Sequence, residues 1–189
     1  MSVVKGLVEI MSETSALTKL LIKCVHFSAV KHKKQRRMDP DATPYINHPI
    51  GVAQILTEEA NITDPTVLQA ALLHDTVEDT DTTFEEIEKE FGRDVCNVVK
   101  EVTDDKSLPK HERKRLQIEH AAGSSHPAKL VKLADKLHNL RDLERCVPLG
   151  WTKQRVDEYF QWSQQVVQNL RGTNAELELE LDRLFAKHS

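Results

Sequence analysis

An all-α fold is predicted by three observations. Apolar residues recur at three- and four-residue spacing in almost every segment. Glycine and proline are sparse, at 6 and 7 of 189 residues, and aromatic residues make up only 5%. A β-sandwich would need more turn residues and more aromatic and β-branched strand formers.

The elements follow in order. Residues 15 to 31 place Leu17, Leu20, Leu21, Cys24, Val25 and Ala29 at helical spacing. Between Lys33 and His48 the pattern is irregular, and Asp39-Pro40 and Thr43-Pro44 are turn signals, so a short β-hairpin is expected around residues 36–46. Pro49 to Glu59 reads as a helix through Ile50, Ala53, Ile55 and Leu56. Asp64 followed by Pro65 is an N-cap with proline at the first helical position, and opens a helix expected to run to Asp79. Thr83-Phe84-Glu85-Glu86 forms a capping box for a helix that ends before Gly92. Residues 93–103 and 109–121 continue the helical pattern, and Pro127 starts a longer helix reaching about Arg145. Trp151 to Leu170 and Asn174 to Lys187 complete the set, the last capped by Thr173 with Glu176. Neither an internal repeat nor a linker interrupts residues 15–187, which read as one domain; residues 1–14 are an N-terminal extension whose order the pattern leaves open.

Bulk properties narrow the function. Hydrophobic and charged contents of 39% and 30% are those of a globular chain, and the net charge of -4 excludes a surface that binds nucleic acid throughout. Three scattered cysteines, Cys24, Cys96 and Cys146, with no CxxC pair, fit a reducing compartment and offer no zinc knuckle. The first 14 residues carry Lys5, Glu9 and Glu13, and no apolar run approaches a membrane span of about 20 residues. A cytoplasmic protein without a membrane partner is expected; the sequence does not specify an oligomeric state.

The chemistry concentrates in His74-Asp75-Thr76-Val77-Glu78-Asp79, directly after Val67-Leu68-Gln69-Ala70-Ala71-Leu72-Leu73. A helix that is apolar almost all round is buried, and a buried helix should not end in three acids unless a cation compensates them. A metal ion flanked by spare carboxylates suggests hydrolysis. At about 100° per residue, His74, Glu78, Asp75 and Asp79 fall at roughly 0°, 40°, 100° and 140°, on one helix face. An exposed acidic helix end is the bland alternative. His48, in Pro44-Tyr45-Ile46-Asn47-His48-Pro49, and Asp135, in the stripe carrying Leu130, Leu133, Ala134, Leu137 and Leu140, are the other ligand candidates. Taken alone, the first also fits a structural histidine and the second a solvated face with weak ion pairs to Lys132 and Lys136.

Together, a histidine, a later His-Asp pair and a distant aspartate resemble the metal pattern of HD domains. The words Pro44-Tyr45-Ile46-Asn47-His48-Pro49, Ala71-Leu72-Leu73-His74-Asp75-Thr76-Val77-Glu78-Asp79 and Val131-Lys132-Leu133-Ala134-Asp135-Lys136-Leu137-His138-Asn139 more specifically resemble the hydrolase domain of RelA/SpoT enzymes, in its stand-alone metazoan form, over residues 15–187. The resemblance implies an all-helical HD fold that removes pyrophosphate from the 3′ position of guanosine 3′,5′-bis(diphosphate), ppGpp, in a starvation response. It implies His48, His74, Asp75 and Asp135 as metal ligands, Glu78 and Asp79 as catalytic acids, and Mn²⁺ as cofactor. A nitrogen and oxygen donor set without thiolate agrees with Mn²⁺ and also accommodates Zn²⁺ or Fe²⁺.

The resemblance further points to Asn139 as a nucleotide contact and to Arg37, in Lys31-His32-Lys33-Lys34-Gln35-Arg36-Arg37, as the plane over the guanine base. That run also reads as a solvated helix end or a nucleic-acid patch. Met38 stands where relatives often carry a second basic residue. Thr103 to Arg113 resembles a lid with Lys110 on phosphate, and Arg155 and Tyr159 match positions at the nucleotide's other end; all three fit surface decoration equally well. Trp151, Phe160 and Trp162 read as core aromatics. Two alternatives stay open: an NADPH 2′-phosphatase using the same site, an activity attributed to animal-type members, and a nucleotide sensor without turnover. A nucleic-acid partner would show steeply salt-dependent binding, which the acidic balance disfavours.

Overall fold

The computed structural model describes residues 2–188, with side chains described from residue 15 onward. The expected N-terminal extension, residues 1–14, lies outside the residues whose side chains are described. The element order is α1 (Ser2–Lys31), α2 (Asn47–Gln54), α3 (Pro65–Leu73), α4 (Thr76–Asp79), α5 (Phe84–Phe91), α6 (Arg93–Val102), α7 (Lys110–Ala121), α8 (His126–Arg145), α9 (Lys153–Gln168) and α10 (Ala175–Lys187). A π-helical turn (Ile55–Glu59) continues α2. The fold is all-α.

Helix α3 is the axis. Every residue from Val67 to Leu73 is buried, and the helix packs against α1, α2, α6 and α8. Asp64 starts it as expected: its carboxylate accepts from the Thr66 N–H at 2.7 Å, and Pro65 takes the first position. Helix α8 supplies the opposing wall through Leu130, Leu133, Ala134, Leu137 and Leu140, all buried, and α9 and α10 pack on α8.

Local expectations were corrected in four places. The hairpin reduces to one antiparallel bridge, Arg36 to Pro44, with Arg37 N–H to Thr43 O at 2.8 Å. Pro44 has no N–H to extend a ladder. At α5 the Thr83 hydroxyl accepts from the Glu86 N–H, but the Glu86 carboxylate turns to Lys31 at 2.9 Å instead of closing the capping box. The last helix is capped by Asn174, whose side chain accepts from the Leu177 N–H at 3.0 Å; Thr173 instead donates its hydroxyl to Leu170 O.

The fourth difference matters most. The helix expected to reach Asp79 breaks at His74-Asp75. The His74 ring and the Thr76 hydroxyl turn back onto the carbonyls of Ala71 and Leu73, at 2.7 and 2.6 Å, taking acceptors from the end of α3. Asp75 sits at φ -96°, ψ -4°, in the bridge region where active-site residues are often found.

Candidate metal centre and active site

Four side chains from three places in the fold converge at that break. His48 comes from α2, His74 and Asp75 from the break after α3, and Asp135 from α8. His48 Nε2 is 3.1 Å from Asp135 Oδ1 and 3.6 Å from Asp75 Oδ2. His74 Nε2 is 3.0 Å from Asp75 Oδ2 and 3.7 Å from Asp135 Oδ1. One ligand atom each from His48, His74 and Asp135 lies within 4.8 Å of the other two.

The residues fit a divalent metal ion. His74 donates through Nδ1 to the Ala71 carbonyl, so a neutral ring carries its proton there and turns Nε2 into the cluster. That Nε2 is buried and has no hydrogen-bond partner. A buried nitrogen lone pair facing two carboxylates is the donor chemistry a divalent ion satisfies.

Further groups orient the ligands. Tyr45 donates its hydroxyl to Asp75 Oδ2 at 2.6 Å. Asn139 donates to Asp135 Oδ1 at 2.7 Å, and the buried Lys136 ammonium to Asp135 Oδ2 at 3.0 Å. His48 and His138 face each other through their Nδ1 atoms at 3.1 Å.

The same two carboxylates favour a further proton, and so a positive charge, on His74. Burial works against charge on His74, but the Asp75 and Asp135 carboxylates overcome it and push its pKa from 6.5 up to about 9. Binding a cation therefore displaces this proton, and affinity for Mn²⁺ is expected to strengthen as pH rises toward about 9. The stability sign is opposite. A histidine with a raised folded-state pKa stabilises fully below 6.5 and loses that contribution as pH climbs through about 9. The melting temperature of chelator-treated protein should fall over that interval, and Mn²⁺ should restore it. A metal-free melting temperature that rises from pH 6.5 to 9 contradicts this assignment.

Glu78 and Asp79 stand one turn on, in α4. Burial pushes the Glu78 carboxyl up to about 7, reinforced by the charges of Asp104, Asp75 and Asp79 and opposed by the hydrogen bond from the Asp104 N–H. That bond measures 3.1 Å, and Arg113 approaches the other oxygen at 3.4 Å. Asp79 accepts from the Gln35 amide at 2.8 Å and from the Lys106 ammonium. The segment between α6 and α7 thus closes directly onto both acids.

The expected nucleotide contacts divide between two adjoining hollows. Arg37, Tyr45, Asn139, Trp151 and Tyr159 line a cavity of about 330 Å³. Arg37 donates to Asn139 at 2.8 Å and to Asp142 at 2.9 Å, and lies 5.6 Å from the Tyr45 ring centre. Lys110 and Arg155 line a neighbouring hollow that shares Trp151 and Tyr159. Arg155 lies 4.2 Å over the Trp151 ring. Trp151 is therefore a cavity wall as well as a core neighbour, a correction to the sequence reading; Phe160 is buried as expected, and Trp162 is partly buried. Met38 also reaches the first cavity, more than half exposed.

Several of these groups escaped sequence reasoning. Tyr45 and Lys136 sit inside the quoted words, next to ligands, and could have been found there. His138 also lies inside a quoted word, whereas Gln35 and Lys106 carry no signal that periodicity reveals.

The chain is similar to known proteins over most of its length. The HD-domain family model matches residues 24–166. The guanosine-3′,5′-bis(diphosphate) 3′-pyrophosphohydrolase MESH1 of Xenopus tropicalis is 68% identical over 166 residues, covering 88% of this chain and 93% of that protein. The human protein of the same name is 66% identical over 165 residues, covering 87% and 92%. A solved structure described as a metazoan ortholog of SpoT that hydrolyzes ppGpp and plays a role in starvation responses superposes with a TM-score of 0.88. It is 62% identical and covers 90% of this chain and 96% of that one. With the three sequence words, the helical architecture and these matches in agreement, the chain belongs to the HD-domain family, as an enzyme of its MESH1 hydrolase group.

Proposed function

We propose that this enzyme hydrolyses ppGpp to GDP and pyrophosphate, with Mn²⁺ as the resident ion, in a cytoplasmic starvation or stress response. One observation carries the reading: the His48-His74-Asp75-Asp135 cluster, with both imidazoles buried, stands next to a pair of acids and opens beside an aromatic cavity sized for a base. Among the described residues, no helix is long and apolar enough to cross a membrane.

A bound divalent ion would supply Lewis-acid polarisation of a phosphoryl oxygen and activation of water. Glu78, with a pKa near neutrality, accepts the proton of the attacking water. The bond between the ribose 3′ oxygen and its phosphorus breaks; the water oxygen leaves on pyrophosphate, and the 3′ oxygen regains a proton as GDP's hydroxyl. Asp79, held by Gln35 and Lys106, orients the water and is the second proton carrier. Arg37 presents its guanidinium plane to the guanine base, and Asn139 links that cavity to Asp135. Lys110, Arg155 and Tyr159 receive the 5′ diphosphate.

The test is product identification on Mn²⁺-loaded protein given ppGpp or NADPH in parallel. GDP and pyrophosphate at the higher kcat/KM support the proposal. Phosphate from NADPH at the higher kcat/KM would reassign the substrate, and tight binding without turnover would make the protein a sensor. For Arg37→Ala, the loss should appear mainly in KM, by about tenfold or more, because the contact is to a non-reacting part of the substrate. A loss confined to kcat would move Arg37 out of base recognition.

A further inference from the structure

Between the metal cluster and the nucleotide cavity lies a residue the proposed mechanism does not use. His138, one turn of α8 beyond Asp135, inserts its ring between residues 48 and 51 of α2. It meets the His48 ring edge-on, with centres 4.7 Å apart and planes at 70°. Its other flank rests on Gly51: a Cβ at that position would lie 2.2 Å from His138 Nε2 and 2.4 Å from its Cδ2. Asp142 Oδ2 stands 3.6 Å from His138 Nδ1. The ring is boxed in by its neighbours, and its position is set by the absence of a side chain at Gly51.

The contact with His48 has a definite chemistry. Two imidazole Nδ1 atoms 3.1 Å apart can share a single proton, one donating and the other accepting. If His48 carries its proton on Nε2, it can donate only to the Asp135 carboxylate 3.1 Å away, and that nitrogen offers no lone pair. If His48 carries the proton on Nδ1, it donates to His138, and Nε2 presents a lone pair to the cluster. His138 accommodates either state by moving its own proton between Nδ1 and Nε2, so the pair gains and loses none. His74 has a backbone carbonyl in this role. His48 is buried, and the side chain of His138 is the partner its Nδ1 has.

We infer that His138, seated against Gly51, is a positioning residue that fixes the ring angle of His48 and accepts its Nδ1 proton in the metal-binding tautomer. The inference rests on the metal reading of the cluster. It also ties the two halves of the site, since Asp142 beside His138 accepts from Arg37 of the nucleotide cavity.

The experiment is a Mn²⁺ titration followed by the electron paramagnetic resonance signal of the free ion, on wild type, His138→Phe, His138→Asn, Gly51→Ala and the Gly51→Ala/His138→Asn pair. Loss of the outer partner of a ligating histidine weakens metal binding by about 10–100-fold, which is expected for His138→Phe. His138→Asn keeps an acceptor near the Nδ1 position and should recover most of that loss. Gly51→Ala should weaken Mn²⁺ binding although alanine is the better helix former. The double variant should bind like His138→Asn alone, because the shorter amide leaves room for the methyl group; such non-additivity separates displacement of His138 from a general helix defect. Melting in chelator checks that each variant folds. Wild type that leaves Mn²⁺ free would overturn the metal reading and this inference with it. If wild type binds Mn²⁺ and His138→Phe or Gly51→Ala binds it equally well, the inference alone is overturned.

Discussion

Replacing Glu78 with glutamine is expected to lower kcat by about 10²–10⁴-fold, the range for loss of a positioned proton carrier, while the bound metal stays. Glutamine keeps the shape of the side chain and an oxygen for the Asp104 N–H, which approaches Glu78 Oε2 at 3.1 Å. It cannot take a proton from water. Glu78 is not among the cluster atoms, so the metal content of the variant should match wild type. The amide also removes an unfavourable ionisation. With its folded-state pKa raised from 4.5 to about 7, the Glu78 carboxyl contributes stability that is full below 4.5 and is lost as pH rises through about 7. Glutamine escapes that loss, so in chelator at pH 8 the variant should melt no lower than wild type. An inactive variant of undiminished stability would mark Glu78 as a group held at some structural cost for chemistry. Near-normal turnover with metal retained would remove Glu78 from the proposed reaction.

Removing Asp135 should cost both metal and stability, and above about pH 9 this sets it apart from removing His74. Asp135→Ala deletes a donor that is 3.1 Å from His48 Nε2 and leaves the Lys136 ammonium without the carboxylate that holds it at 3.0 Å. Lys136 is buried, and although burial alone would favour its neutral form, Asp135 raises its pKa and keeps it charged. Breaking one side of a buried ion pair costs about 3–5 kcal/mol. His74→Ala also deletes a donor and, below about pH 9, removes the positive charge that offsets Asp75 and Asp135, but Tyr45 still donates to Asp75 and above that pH the imidazole is already neutral. Both variants should lose Mn²⁺ and turnover. Above about pH 9, where His74 is already neutral and Lys136 still charged, only Asp135→Ala should show a large fall in the chelator-treated melting temperature. Equal melting temperatures would mean that Lys136 finds another partner, or deprotonates, when Asp135 is gone.

The parts of this protein that were legible from sequence are those in which neighbours along the chain decide the outcome. The Asp64-Pro65 start and the glycine that ends α5 act through backbone geometry within a few residues. The apolar run from Val67 to Leu73 announces a buried helix, because nothing polar but Gln69 interrupts it. The ligand words were readable for a related reason: a buried run that ends in His-Asp poses a charge problem visible without the fold. The missed Asn174 cap shows the limit even locally, since Thr173 and Asn174 are both able cap residues and one position decides between them.

What the chain alone determined was the helical periodicity, the set of titratable groups and the need for a cation near His74-Asp75. What tertiary structure decided was how these groups meet: the break that aims His74 and Asp75, the Lys106 clasp on Asp79, the passage of Arg37 to Asn139 across 102 residues, and the ring of His138 against Gly51. The reason is physical. Periodicity and caps are one- to four-residue properties of the backbone, whereas a site built across α2, the α3–α4 break and α8 depends on close-packed distances that no single segment encodes.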